Sequence, residues 1–372
     1  MKPHTIESLT LIAFLFVTSS TAAFAQTASP TPTIKEEEGV IKVDSRLVVV
    51  PVSVVDANGE PVLGLKAENF QIKEENRPQT IDNVGNAENV PLEIALLFDV
   101  SASTDAMFRF QQETAAKFLR EVMRPEDRAI VFTVGQKPVL IQPRDTAENS
   151  IANVISISPQ KGATAFYDTV RAAADFLRIN SPQGRRRVIL VISDGEDNFS
   201  DGVQRALRNK ERNTVDNEPD PEYKKLGSFV MQAQQAAKAS ERTKVLKSLQ
   251  DGDIVHYSIN PGGSSYLLNK MSVFGQENMQ KFAEETGGTA FLPKFQPIDT
   301  KDSMQNSVNI RKNTETLERI FKQLANELRA QYLVQYYSES EYPLNKYVKL
   351  DVALQTPGNM RVRARRGYYV KN

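Results

Sequence analysis

The feature that most limits the fold is a change of hydrophobic period in the middle of the chain. Between about residues 89 and 330, short continuous apolar runs such as ALLF (95–98) and VILVI (188–192) alternate with segments whose apolar residues recur every three to four positions. A strand that is apolar throughout is covered on both faces, as in a parallel sheet with helices on either side. The pattern therefore predicts a doubly wound, mainly parallel α/β domain over residues 89–330.

The two ends of the chain follow a different period. Residues 41–88 and 331–372 alternate apolar and polar side chains, and turn signals such as DANG (56–59) interrupt the alternation. Antiparallel strands with one face in water have this pattern. Because a small sheet is only marginally stable alone, we expect both segments to form one small all-β sandwich into which the α/β domain is inserted.

The first 25 residues have the pattern of a secretory signal peptide. A basic start precedes the apolar run Leu9–Val17, and small residues stand at Ala23 and Ala25. Cleavage after Ala25 is expected, which predicts a secreted or periplasmic protein without a transmembrane span in the mature chain. The alternative is an uncleaved membrane anchor. Residues 26–40, rich in Pro, Thr and Glu, are expected to form a flexible linker.

Charge and composition exclude several functions. Lys and Arg together number 46, as do Asp and Glu, so no net charge attracts nucleic acid. Beyond the signal segment the only histidine is His256, inside the alternating strand pattern DIVHYSI, where we expect a structural role. No G-x-S-x-G motif exists for a Ser-His-Asp hydrolase. Glu196 and Asp197 could act as general bases near a metal, but acidic residues in such a loop are usually solvated. We therefore expect no enzymatic activity, and a metal-assisted hydrolase is the weakest alternative.

Two of the predicted buried strands run into an aspartate, at Asp99 and Asp194. Hydroxyl groups follow the first at Ser101 and Ser103, and a Gly-Ala turn places Thr164 just before a helix. In open α/β sheets, ligands bind at the carboxyl ends of the strands where the strand order reverses. We therefore expect these five residues to gather as hard oxygen ligands of a divalent cation, Mg²⁺ first, with Mn²⁺ or Ca²⁺ as alternatives. The competing explanation is a strand-end aspartate followed by a helix-capping hydroxyl.

This combination resembles the von Willebrand factor A domain, also seen as the I domain of integrins, over about Val90 to Leu328. That family has a Rossmann-like doubly wound fold, and its metal-ion-dependent adhesion site combines D-x-S-x-S, a loop threonine and a strand-end aspartate. The matching residues here are Asp99, Ser101, Ser103, Thr164 and Asp194. The resemblance implies that the serines bind the cation directly, and that Thr164 and the aspartates do so directly or through water.

The same resemblance implies a partner. A Glu or Asp carboxylate of another protein would complete the coordination of the cation, which makes the chain an exported, metal-dependent protein-binding or adhesion module. The flanking β segments are similar to those of a secreted bacterial subfamily that carries this domain. The alternative is a structural envelope protein whose metal site only stabilises the fold. The oligomeric state is left open.

Two departures from the family pattern are visible. The segment formed by residues 202–250 is much longer than the usual connection between the strand-end aspartate and the next strand. They represent either a tolerated surface insertion or a recognition element beside the metal face. Ala163 stands where a second glycine is common, which stiffens the loop slightly.

Overall fold

The computed structural model describes residues 46–371, apart from 102–104, 161, 218–222, 261–269, 299 and 357. The expected signal peptide and linker lie outside these residues, so both stay predictions. Of the helices in the described part of the chain, none combines the length and the apolar character that crossing a bilayer requires.

The described chain contains seven α-helices and fourteen strands, which we number in chain order. The helices are α1 Asp105–Val122, α2 Ala147–Ser156, α3 Phe166–Asn180, α4 Asp201–Asn217, α5 Tyr223–Asp251, α6 Lys270–Thr286 and α7 Ser303–Arg329. The strands before α3 are β1 Arg46–Val55, β2 Phe70–Glu74, β3 Arg77–Gln79, β4 Ile81–Asn86, β5 Leu92–Asp99, β6 Arg128–Val134 and β7 Val139–Asp145. The later strands are β8 Arg186–Ile192, β9 Ile254–Ile259, β10 Ala290–Phe291, β11 Tyr332–Ser338, β12 Tyr347–Leu354, β13 Arg361–Ala364 and β14 Gly367–Tyr369.

The middle of the chain forms a six-stranded sheet in the order β10-β9-β8-β5-β6-β7. All neighbouring strands are parallel except β6 and β7, which are antiparallel. This confirms the predicted α/β fold with its mainly parallel sheet. The chain runs outward from β5 to β7 and then returns to β8 on the other side of β5. The strand order therefore reverses between β5 and β8.

The edge strand β7 had no counterpart in the sequence-based prediction. Its residues are mostly half-buried or exposed, and Pro143 lies within it. Proline is tolerated in an edge strand, where one side of the backbone needs no partner. A solvent-exposed edge strand of this kind has no continuous apolar run, so its hydrophobic pattern does not distinguish it from a loop.

Successive residues of β5 supply two separate cores. Ile94, Leu96 and Phe98 face the apolar side chains of α1 and α7, whereas Ala95 and Leu97 face those of α3, α5 and α6. This is the arrangement expected for a sheet with helices on both faces, and it buries every residue of β5.

The two ends of the chain form two further antiparallel sheets, with the orders β13-β1-β11-β4 and β14-β12-β2-β3. Each combines strands from before and after the α/β part: β1 pairs with β11, and β2 pairs with β12. The inner faces share one core, which includes Val50, Ile72, Val334 and Val348. The two sheets therefore enclose a common apolar layer that neither end of the chain could fill alone.

His256 lies in the middle of β9, fully buried, with its ring edge-on to Phe282. Neither ring nitrogen has a hydrogen-bond partner among the described residues. Burial lowers the pKa of His256 to about 3, because the charged imidazolium loses its hydration. The side chain therefore belongs to the core, in agreement with the structural role expected from the sequence.

This burial makes stability depend on pH. A histidine whose pKa is lower in the folded state than in the unfolded state contributes no penalty above pH 6.5, and it destabilises the fold progressively as the pH falls towards 3. We expect His256 to remove about 2 kcal/mol from the free energy of unfolding between pH 7 and pH 5. Urea titrations of the wild type and of His256→Leu at both pH values would measure it. An equal loss in the two proteins would contradict the prediction.

Candidate metal site

Four of the five predicted site residues lie at one edge of the six-stranded sheet. Asp99 is the last residue of β5, and Asp194 follows β8 by two residues, so the two flank the point where the strand order reverses. Ser101 follows β5, and Thr164 lies in the loop that leads into α3. The fifth residue, Ser103, lies outside the described residues.

Hydrogen bonds between backbone groups tie the three loops together. The amide of Gln160 donates to the carbonyl of Val100 at 2.8 Å, and the amides of Asn198 and Phe199 donate to the carbonyl of Thr164 at 3.0 Å. The amide of Thr164 in turn donates to the Asn198 side chain at 2.6 Å. The loops after β5, before α3 and after β8 thus form one connected surface.

Asp99 is buried, with 4% of its surface exposed. One carboxylate oxygen accepts hydrogen bonds from the amide and hydroxyl of Ser101 at 2.9 and 2.6 Å, and the other accepts one from the hydroxyl of Ser193 at 2.6 Å. Burial raises the pKa of Asp99, while these hydrogen bonds act in the opposite direction. The carboxylate makes no ion pair with a described residue, so its charge is held by hydroxyl and amide groups alone.

The negative charge of Asp194 is likewise not compensated by a cationic side chain of the described residues. It accepts a hydrogen bond from the amide of Glu196 at 3.0 Å and makes no ion pair with any residue that the structure describes. Burial, followed by the charge of Asp99, raises the pKa of Asp194 to about 7. Two carboxylates that repel each other without a cationic side chain are an arrangement that a bound divalent cation would stabilise.

The neutral ligands fit the same cation. Thr164 is buried, and its hydroxyl forms no hydrogen bond with the described residues, so its oxygen is available as a ligand. The described residues contain no group of three or more His, Cys, Asp or Glu side chains that could hold a metal ion. The predicted donor set instead consists of two carboxylates and hydroxyl oxygens. Hard oxygen ligands of this kind suit Mg²⁺, Mn²⁺ or Ca²⁺.

The prediction that the acidic residues after Asp194 are solvated is wrong for Asp197. The residue is 2% exposed, and its carboxylate accepts a hydrogen bond from the amide of Tyr167 at 3.0 Å and contacts the hydroxyl of Ser200. Burial raises its pKa. Asp197 thereby caps the first turn of α3 from a different loop, because the cap residue Ala165 has no side-chain oxygen to do so.

Sequence reasoning also missed Ser193 and Asn198. The only indication in the sequence was that both polar residues lie within four positions of Asp194. Ser193, which follows β8, contacts Asp99 at the end of the neighbouring strand β5. Asn198 and Thr164, which also contact each other, are 34 positions apart in the sequence. Neither pairing follows from local spacing.

Two glycines bring α6 against the loop that carries Asp194. Gly195 has φ +75°, and a Cβ added to it would lie 2.6 Å from the carbonyl oxygen of Gly275 in α6. A Cβ added to Gly275 would lie 2.6 Å from the carbonyl oxygen of Asp194. The helix and the loop therefore touch through their backbones, which only glycine permits.

The long segment over residues 202–250 forms most of α4 and α5, which pack against each other. Val245 and Leu249 of α5 are fully buried and belong to the core beneath α3. The end of this segment is thus part of the domain body, and the explanation as a surface insertion fails there. Val245 and Leu249 are four positions apart and so share one helix face, which a comparison of lengths alone does not reveal.

Residues 94–196 match the family model of the von Willebrand factor type A domain. No curated protein matches the chain. The PilB minor pilin of Streptococcus sanguinis is a similar solved structure at 17% identity, covering 66% of this chain and 63% of the pilin with a TM-score of 0.42.

Two further solved structures are similar at lower scores. Mussel byssus proximal thread matrix protein 1, whose MIDAS motif is occupied by zinc, is 11% identical over 69% of this chain and 50% of its own, with a TM-score of 0.39. An aerotolerance-related membrane protein of Bacteroides fragilis is 15% identical over 59% of this chain and 99% of its own, with a TM-score of 0.33. This chain thus spans about half of the byssus protein.

Proposed function

We propose that the von Willebrand factor type A domain of this chain is a metal-dependent protein-binding module of an exported protein. Asp99, Ser101, Ser103, Thr164 and Asp194 would hold the cation, Mg²⁺ in the first place. The observation that carries the proposal is the pair of carboxylates, Asp99 and Asp194, beside the reversal of strand order without a cationic partner among the described residues.

The cation would supply an electrophilic centre that attracts an acidic side chain of a partner protein. Two carboxylates and neutral hydroxyl groups leave a divalent ion room for water or for an outside carboxylate. The residues of the chain do the rest: Ser193 and the Ser101 amide orient Asp99, and Asn198 holds the Thr164 loop. Because an outside carboxylate replaces one oxygen ligand by another, the surrounding loops would contribute much of the net affinity.

The alternative is a cation that only stabilises the fold of an envelope protein. The two functions differ in whether a coordination position stays open to an outside ligand. We expect the mature protein to bind Mn²⁺, and we expect millimolar acetate to displace water from the bound ion. Acetate serves here as the simplest carboxylate probe.

Water-proton relaxation of the Mn²⁺-loaded protein would measure this. Displacement of water by acetate lowers the relaxation rate, whereas a closed, purely stabilising site gives no change and would overturn the proposal. Ser101→Ala should lose Mn²⁺ binding. Ser156→Ala is the matched control, because its hydroxyl is exposed at the end of α2 and bonds only to the carbonyl of Asn153. Absence of Mn²⁺ binding in the wild type would refute the metal site itself.

A further inference from the structure

A cavity of about 770 Å³ lies at the opposite edge of the six-stranded sheet from Asp99 and Asp194. One wall contains Arg185–Arg187, at the start of β8, and Asp253–Val255, at the start of β9. The other wall is the outer face of β1 and β11, with Leu47 and Leu333. Its volume is within the range of pockets that hold small molecules, roughly 300–1,000 Å³.

Positive charge dominates the lining of this cleft. Among the described residues that line it, the only acidic side chain is Asp253, and the six cationic ones are Arg46, Arg185, Arg186, Arg187, Arg365 and Lys371. Asp253 is already paired with Arg365 and Lys371, each at 2.7 Å, and Arg185 contacts the buried Glu93. The remaining three arginines form no salt bridge with a described residue. The cleft therefore has an excess of positive charge that an anion would neutralise.

Several guanidinium groups also keep unused donors. Arg187 donates to the carbonyl of Gly252 at 2.9 Å, but its Nε has no partner among the described residues. Arg365 spans the cleft from Asp253 to the carbonyl of Val49, and its buried Nε is likewise without a partner in the described chain. These Nε atoms are shielded from the cleft. An anion in the cleft would therefore accept hydrogen bonds from the outer guanidinium nitrogens, each of which carries two N–H groups.

The facing wall is apolar. Leu47, Val49 and Pro51 alternate along β1 with residues of the sandwich core, so they point away from that core and towards the cleft. Leu333 continues this surface on β11, where it pairs with Pro51. Leu47 remains 47% exposed. The cleft thus combines an apolar surface with guanidinium groups on the other side.

We propose that this cleft binds a small amphiphile with an anionic head group and an apolar chain, of the fatty-carboxylate class. The head group accepts hydrogen bonds from Arg187 and Arg365, since guanidinium donors match carboxylate oxygens. The chain covers Leu47 and Leu333. A ligand that is polar along its whole length would bury no apolar surface of its own against this wall. The proposal is independent of the cation at Asp99, because the two sites lie at opposite ends of the same strands.

Calorimetric titration of dodecanoate, below its micelle concentration and with EDTA present, tests the proposal on the full mature protein. We expect one molecule bound per chain, at least tenfold tighter than acetate, and no binding of dodecyltrimethylammonium. Equal binding of the cationic amphiphile, or no binding of dodecanoate up to its solubility limit, would overturn it.

Two mild variants locate the binding without removing an internal contact. Gln335→Glu introduces a negative charge into the lining with little change of shape. Arg46→Gln removes a cation that makes no hydrogen bond or ion pair with the described residues. Each should weaken dodecanoate binding about tenfold, whereas Arg178→Gln, in the exposed pair with Asp175, should leave it unchanged. Unchanged affinity in both cleft variants would place the amphiphile elsewhere and refute the assignment.

Discussion

Asp99→Asn should lose Mg²⁺ affinity by at least about 100-fold, because replacing even a residue that supports a metal ligand costs 10- to 100-fold. In EDTA the same variant should melt at the wild-type temperature or above it. The reason is that the substitution keeps an acceptor for Ser101 but removes one of two carboxylates that repel each other. Added Mg²⁺ should raise the melting temperature of the wild type only, since ligand binding to the folded state stabilises it.

Calorimetry and thermal melting of both proteins, with and without Mg²⁺, measure these effects. Asp175→Asn is the control, because Asp175 lies on α3 in an exposed ion pair with Arg178. The contrary result would be a wild-type melting temperature that does not change with millimolar Mg²⁺, together with a lower melting temperature for Asp99→Asn. Asp99 would then only end a strand and order the following turn.

Gly195→Ala should destabilise the protein by about 1–3 kcal/mol more than Gly184→Ala. The two glycines have nearly the same backbone conformation, with φ +75° and +76°. Both variants therefore pay a similar cost for a side chain in the left-handed region, roughly 1–2 kcal/mol. Only at Gly195 does the new Cβ also meet another backbone, at 2.6 Å from the Gly275 oxygen, whereas nothing lies within 4 Å at Gly184. Overpacking adds about 1–3 kcal/mol.

Urea unfolding of the two variants gives the difference directly. Because the displaced loop carries Asp194, Gly195→Ala should also weaken Mg²⁺ binding, which Gly184→Ala should not affect. Equal free energies of unfolding would mean that α6 can shift away from the new methyl group at no measurable cost. The close contact would then not contribute to stability.

The parts of the fold that could be predicted are those with a strong hydrophobic period. The continuous apolar runs of β5 and β8 predicted a mainly parallel sheet, and the alternation in β1, β11 and β12 predicted antiparallel strands. The edge strand β7 escaped because a half-exposed strand with a proline has no period to detect. The burial of Val245 and Leu249 escaped because it depends on which helix face meets the sheet.

The candidate site shows the same division. Asp99, Ser101, Thr164 and Asp194 could be placed at one sheet edge from spacing, because parallel strands end on the same side. The supports of the site could not. Ser193 reaches Asp99 across neighbouring strands, Asp197 caps a helix that begins 31 positions before it, and Gly275 acts through the absence of a side chain. Such contacts arise only when distant segments have folded against each other.

The pairing of β1 with β11 also sets an order of events in folding. Leu47 and its partner Tyr337 are nearly three hundred positions apart, so in a chain that emerges from its N-terminus the apolar residues of β1 appear long before the strand that covers them. The α/β domain can close in the meantime and bring its two ends together, which removes most of the entropic cost of joining such distant strands. Until the last strands have emerged, β1 is an uncovered apolar segment that needs protection against misassociation.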